Sequence, residues 1–277
     1  MLHKNPLIQA GLILLTPAWL ASCSSISEIG TQKNNLQASA DTGTLSLVAN
    51  GEDFVRQGFV TKDGWQISFD HLYVTLTQVS AYNTKVPLDL DEVNKSKDAT
   101  KVVLVSEPQT IDLALGDNNA EPILVTQVNA PAGNYHALSW QLVPAQEGET
   151  QGYTIVMDGV ATKSNQKVDF VIKIDQPLDY MCGEFVGEER KGILLKGEQA
   201  EVETTFHFDH LFGDAQTAST DSINTDALGF EPIAALAQSG KLNVDTTALK
   251  AQLNSQQIQA LDQAISSLGH VGEGHCQ

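Results

Sequence analysis

The residues best suited to chemistry lie in Thr205-Phe206-His207-Phe208-Asp209-His210-Leu211-Phe212-Gly213-Asp214, which sets two imidazoles and two carboxylates among three phenylalanines. Its centre, Phe208-Asp209-His210-Leu211, repeats four earlier residues, Phe69-Asp70-His71-Leu72. Two more of the chain's seven histidines, His270 and His275, fall in the last eight residues, and Cys276 follows the second. Neutral imidazole is the commonest side-chain ligand for a transition metal, and an apolar shell strengthens its hold on a cation. The set points to metal binding.

Such a site needs elements that bring the echoes together. Val202-Glu203-Thr204-Thr205 reads as a strand, and its continuation through Phe212 puts Phe206, Phe208, His210 and Phe212 on one face. Period two along Ile67–Leu76 likewise puts Ile67, Phe69, His71 and Tyr73 together. In both echoes the histidine then shares a face with phenylalanine, so His71 and His210 are expected to converge at one edge of the core. A bond between Cys182 and Cys276 would carry His275 beside Met181 and Glu184. The expected metal set is therefore His71, His210 or His207, and His275, with Asp209 or Glu184 as carboxylate. Imidazole with carboxylate suits zinc or copper(II), and Met181 gives copper(I) some room. The competing reading makes His71 and His210 core residues bonded to backbone.

Most of the chain reads as β. Short apolar-alternating runs from Thr44 to Phe208, about ten in number, are separated by turn signals every 8–12 residues or so, the pattern of an antiparallel β-sandwich. Pro131-Ala132-Gly133-Asn134 is one such turn, and residues 83–100 form a charged loop lacking the glycine and terminal glutamate of a calcium site. After Asp214 the composition becomes helical. A short helix is expected from near Pro232 to Gly240, and a longer one capped at Thr246 or Thr247 runs through Leu268. The reading is mainly β: a sandwich over residues 43–214 with a helical C-terminal appendage over 215–277.

The beginning of the chain gives the compartment. Residues 1–22 have a basic start and an apolar run from Leu7 to Leu20 too short for a membrane helix, as in a secretory signal. The run closes on Leu20-Ala21-Ser22-Cys23, which resembles a bacterial lipobox; this implies a lipid anchor on Cys23 (palmitate among its acyl chains) and cleavage before it. Ser24, not aspartate, follows Cys23, so resemblance to Gram-negative lipoproteins implies the outer membrane, facing periplasm or surface. Residues 23–42 are polar and low in aromatics, a flexible tether. Losing the leader removes one lysine and no acid, so the formal charge of −18 becomes −19. That excludes nucleic acid and anionic lipid surfaces as partners and suits cations. With Cys23 lipidated, Cys182 and Cys276 remain, and in an oxidising compartment they form a disulfide, with a pair of thiolate metal ligands as the alternative.

A family resemblance joins these readings. Gly43-Thr44-Leu45-Ser46-Leu47, Leu72-Tyr73-Val74-Thr75-Leu76-Thr77-Gln78-Val79, Thr110-Ile111-Asp112-Leu113 and Ala130-Pro131-Ala132-Gly133-Asn134-Tyr135 resemble, in the same order, the DUF4382 group of bacterial lipoproteins. The resemblance covers roughly residues 43–145 and implies a transthyretin-like β-sandwich. Phe69-Asp70-His71 and the histidine-rich second half depart from it. The run Asp70–Val79 is also similar, more faintly, to periplasmic copper-binding proteins associated with methanobactin. No Gly-x-Ser-x-Gly, His-Glu-x-x-His or phosphate-cradling glycine loop is present, so no enzyme is expected. Trp65, Trp140, Tyr73 and Tyr135 could form a sugar platform but suit core packing better. The function expected is binding zinc or copper at the envelope, as a scavenger or a donor to a transport protein. The alternative is a non-catalytic module that binds protein or glycan.

Overall fold

Runs that alternate apolar and polar residues bury one face each, so strands of this kind are stable only when sheets stack. The computed structural model describes residues 41–84, 99–183, 192–271 and 274–276, with His275 described by its backbone alone. The leader, most of the tether including Cys23, residues 85–98 of the charged loop, and Glu184 lie outside the described residues. The fold is mainly β, with two sheets in a sandwich-like arrangement and short helices near the C-terminus. Among the described residues no helix is long and apolar enough to cross a membrane.

The smaller sheet has the order β15 (Gly274–His275), β14 (Gly269–Val271), β12 (Gln199–Phe206), β1 (Thr42–Asn50) and β6 (Ile123–Pro131). The larger runs β10 (Leu178–Gly183), β7 (Gly133–Leu142), β3 (Gln66–Asn83), β8 (Ile155–Lys163), β9 (Gln166–Ile174) and β13 (Lys241–Asp245). Strands β2 (Phe59–Val60), β4 (Thr100–Val105) and β5 (Gln109–Asp112) pair with β3, and β11 (Ile193–Leu194) pairs with β7. The pairings are antiparallel except β1 with β12 and β9 with β13. Phenylalanines fill the space between the layers: Phe69 meets Phe170 edge-on at 6.1 Å and Phe208 at 6.5 Å, while Phe212 and Phe170 both pack on Phe230. Trp140 packs on Phe206 and Tyr180 beside them.

The segment after Asp214 is less purely helical than its composition suggests, since β13, β14 and β15 come from it and extend both sheets. The single helix expected through Leu268 is two, Thr246–Gln252 and Ser255–Ser266. Asn254 makes the break. Its side chain accepts from the amides of Gln256 and Gln257, while the Gln257 side chain accepts from the Asn254 amide, a capping box that starts a new helix. The cap of the first is Asp245, which accepts from the Ala248 amide at 2.8 Å.

Cys182 of β10 and Cys276 are joined, 94 residues apart, tying the larger sheet to the chain's last strands. Cys276 also donates its amide to the Gly269 carbonyl. Gly269 allows this approach: a Cβ there would sit 2.5 Å from the Tyr180 ring. Cross-links that close long loops remove much denatured-state entropy, so replacing both cysteines by alanine is expected to cost roughly 2–5 kcal/mol in a urea unfolding curve.

Candidate metal centre

The two echoes have the same four residues and different structures. In β3, the register against β8 shifts between Phe69 and His71, a bulge at Asp70 that reverses the alternation. Ile67 and Leu72 therefore both point inward, and His71 points out, 51% exposed at its side chain. In the second echo β12 ends at Phe206, and Asp209–Phe212 form a helical turn instead of the expected strand. The turn seats Phe208 and Phe212 in the core and sends His210 elsewhere. The echoes meet through Phe69 and Phe208, not through their histidines.

His71 is thus not brought to the second stretch. It stacks on Tyr73, and its Nδ1 lies 2.7 Å from the Asp112 carboxylate. That hydrogen bond, with further attraction from Asp158 and Asp70, raises its pKa above the ordinary 6.5 despite some desolvation.

The structure instead gathers His207, His210 and His270. His270 is opposite Thr205 where β14 pairs with β12, and the His207 amide donates to the Leu268 carbonyl at 3.0 Å, extending that pairing by one step. The helical turn then swings His210 toward the C-terminal end of helix Ser255–Ser266. Its Nδ1 lies 3.2 Å from the Ser267 carbonyl. A carbonyl only accepts, so Nδ1 carries the proton and Nε2 keeps the lone pair of the neutral ring. Carbonyls at a helix C-terminus also favour a nearby cation.

The rings of His207 and His270 stack with centroids 4.1 Å apart, and that of His210 meets His270 edge-on at 4.9 Å. One nitrogen from each lies within 4.8 Å of the others, so this cluster could hold a metal ion. A tetrahedral ion with bonds of about 2.0–2.1 Å needs nitrogens roughly 3.3–3.4 Å apart, so closure by about 1.5 Å at most suffices. His270 is only 2% exposed. A surface cleft of about 340 Å³, lined by His210, Asp221, Asp226 and Ser267, reaches the cluster from outside.

Carboxylates flank His207 on both sides. Asp209 Oδ1 is 3.8 Å from its Nδ1, and Glu52 Oε1 is 3.8 Å from its Nε2. Asp209 is buried, which pushes its carboxyl pKa up, while the charge of His210 and the backbone amides oppose that shift. Behind the cluster Glu203, also buried, accepts from Asn50 Nδ2 at 2.9 Å and from Thr205 Oγ1 at 3.1 Å. These bonds fix the strand pair from which His207 emerges.

Of the expected residues, then, His207, His210 and Asp209 come together and His71 does not. His275 pairs in register with His270 across β14 and β15, and Glu184 is outside the described residues. Met181 packs against Tyr82 and Ala137 on the far face of β10 from Cys182. Sequence reasoning missed His270 as a member of the cluster and Glu52 as a neighbour of His207. The sequence signal for His270 was its place in the tail that also carries His275 and Cys276. Comparison with known protein families, with curated proteins and with solved structures finds no match to this chain.

The His71 geometry carries its own prediction. In an NMR titration His71 should ionise above 6.5, and Asp112→Asn should lower its midpoint. Because the folded value is raised, the pair contributes below the unfolded pKa and its contribution is lost as pH rises through the folded one. Exposure makes that contribution small. A midpoint unmoved by Asp112→Asn would contradict the pairing.

Proposed function

We propose that this protein is a lipoprotein anchored through Cys23, in the outer membrane of a Gram-negative bacterium, that binds a divalent transition metal. Its ligands are His207, His210 and His270, and the ion is zinc or copper. The observation that carries this reading is the meeting of three imidazoles within 4.8 Å, His207 and His210 from one short segment and the buried His270 from the far end of the chain. Imidazole is a ligand for both ions, and the proton that His210 directs at the Ser267 carbonyl is the outer-shell bond that metal-bound histidines ordinarily make. The joined cysteines support an oxidising compartment, and the lipobox-like Leu20-Ala21-Ser22-Cys23 supports the anchor. A histidine cluster with a cleft beside His210 suits a scavenger, or a donor that passes the ion to an uptake system through that cleft.

The test is metal content by mass spectrometry on the full chain, purified in detergent without a His tag. Close to one equivalent of zinc or copper is expected in the wild type and in His71→Ala. It should be lost in His207→Ala/His210→Ala, with circular dichroism confirming that the variant folds. Wild-type protein that stays metal-free after loading would overturn the reading.

A coordinating imidazole must be neutral, so protons compete with the ion. Metal affinity should fall steeply as pH is lowered, in a titration against a chelator indicator. Affinity independent of pH between mildly acidic and neutral would argue against histidine ligation.

A further inference from the structure

The disulfide lies where its loss would reach the histidines first. β15 is the outermost strand of the smaller sheet, and it pairs with β14 through His275 opposite His270 and Gly274 opposite Val271. β14 in turn meets β12 through two residue pairs, Thr205 opposite His270 and Phe206 opposite Gly269. Ladders this short do not hold by backbone hydrogen bonds alone and depend on what packs against them. Besides the buried Leu268 and Val271, that support comes from one face of β10 in the larger sheet. Tyr180 closes over Gly269, and Cys182, two residues on, is bonded to Cys276. The covalent tie thus fastens the edge pair that carries His270. The strands in the middle of both sheets are fastened by longer ladders.

The two cysteines differ in access. Cys182 is buried at 1% exposure, whereas Cys276 is partly exposed at the margin of the core. A thiolate from outside therefore meets the Cys276 sulfur, and attack there expels Cys182 as the leaving thiolate. The second thiol of the same reductant then cleaves the mixed disulfide. Two electrons and two protons pass to the cysteines, the reductant becomes a disulfide, and Cys276 is released. We propose that the Cys182–Cys276 bond is a redox switch for the histidine cluster. Oxidised, it holds His270, 2% exposed, against the ring of His207 at 4.1 Å. Reduced by a dithiol protein of the thiol–disulfide exchange class, it lets β14 and β15 part from β12 and takes His270 away from His207 and His210. On the metal-binding reading above, on which this consequence rests, reduction discharges the ion and reoxidation restores the site.

The experiment uses the full chain in detergent, metal-free, either oxidised or reduced with a phosphine, beside the variant Cys182→Ser/Cys276→Ser. Diethylpyrocarbonate acylates accessible imidazoles, and peptide mass spectrometry reads the rate at each histidine. His270 should react at least about tenfold faster in the reduced protein and in the variant than in the oxidised protein. His71, 51% exposed at its side chain, should react alike in all three. Circular dichroism should keep its β signal on reduction. Zinc affinity, by chelator competition, should fall at least about tenfold on reduction and recover on reoxidation. An unchanged rate at His270 would overturn the switch. Collapse of the β signal on reduction would overturn it too, by making the bond a staple of the whole fold. Release of His270 in a protein that binds no zinc when oxidised would leave the switch standing and overturn only the metal reading.

Discussion

The contact on which the site depends is the short antiparallel pairing of β14 with β12, Phe206 against Gly269 and Thr205 against His270. Without it, His270 belongs to a free tail. With it, an imidazole from the end of the chain is stacked on His207 at 4.1 Å. The pairing is narrow, so it relies on outside support. The disulfide from β10 supplies one restraint, and the Tyr180 ring supplies another by filling the space over Gly269. Tyr180 also donates its hydroxyl proton to the Ile265 carbonyl in the helix that leads into β14. One aromatic side chain thus holds both the strand and the helix end beside which the three histidines meet.

The aromatic core does a second task. Phe206, Phe208 and Phe212 alternate with the polar residues of one short segment, and each is fully buried. Their burial is the strongest local driving force, at roughly 25 cal/mol per Å² of apolar surface removed from water. It pins the helical turn, ended by Gly213 at φ +68°, in one orientation. His207 and His210 are thereby held without needing a metal to organise them. One nitrogen from each of the three rings lies within 4.8 Å of the others, a preorganisation that would lower the ordering cost of binding an ion.

Much of this fold was legible in the sequence. Alternating apolar residues located most of the strands from Thr44 onward, and the odd count of cysteines, once Cys23 was set aside, indicated the Cys182–Cys276 bond. What was not legible has physical causes. A one-residue bulge at Asp70 leaves composition unchanged but reverses which face His71 occupies, so the phenylalanine echo misled. Phe208 could serve a strand or a helical turn, and tertiary packing on Phe69 decided for the turn. Strands β10, β13 and β14 are short and owe their existence to partners already in place. The site was therefore half visible: the stretch around His207 and His210 was found, whereas His270 and Glu52 reach it only through long-range pairing.

The most direct test of the central claim is anomalous X-ray diffraction at the metal edge from crystals of the zinc- or copper-loaded protein. A single strong peak is expected, about 2.0–2.2 Å from one nitrogen each of His207, His210 and His270. A peak instead at His71 and Asp112, or only on scattered surface carboxylates, would contradict the account.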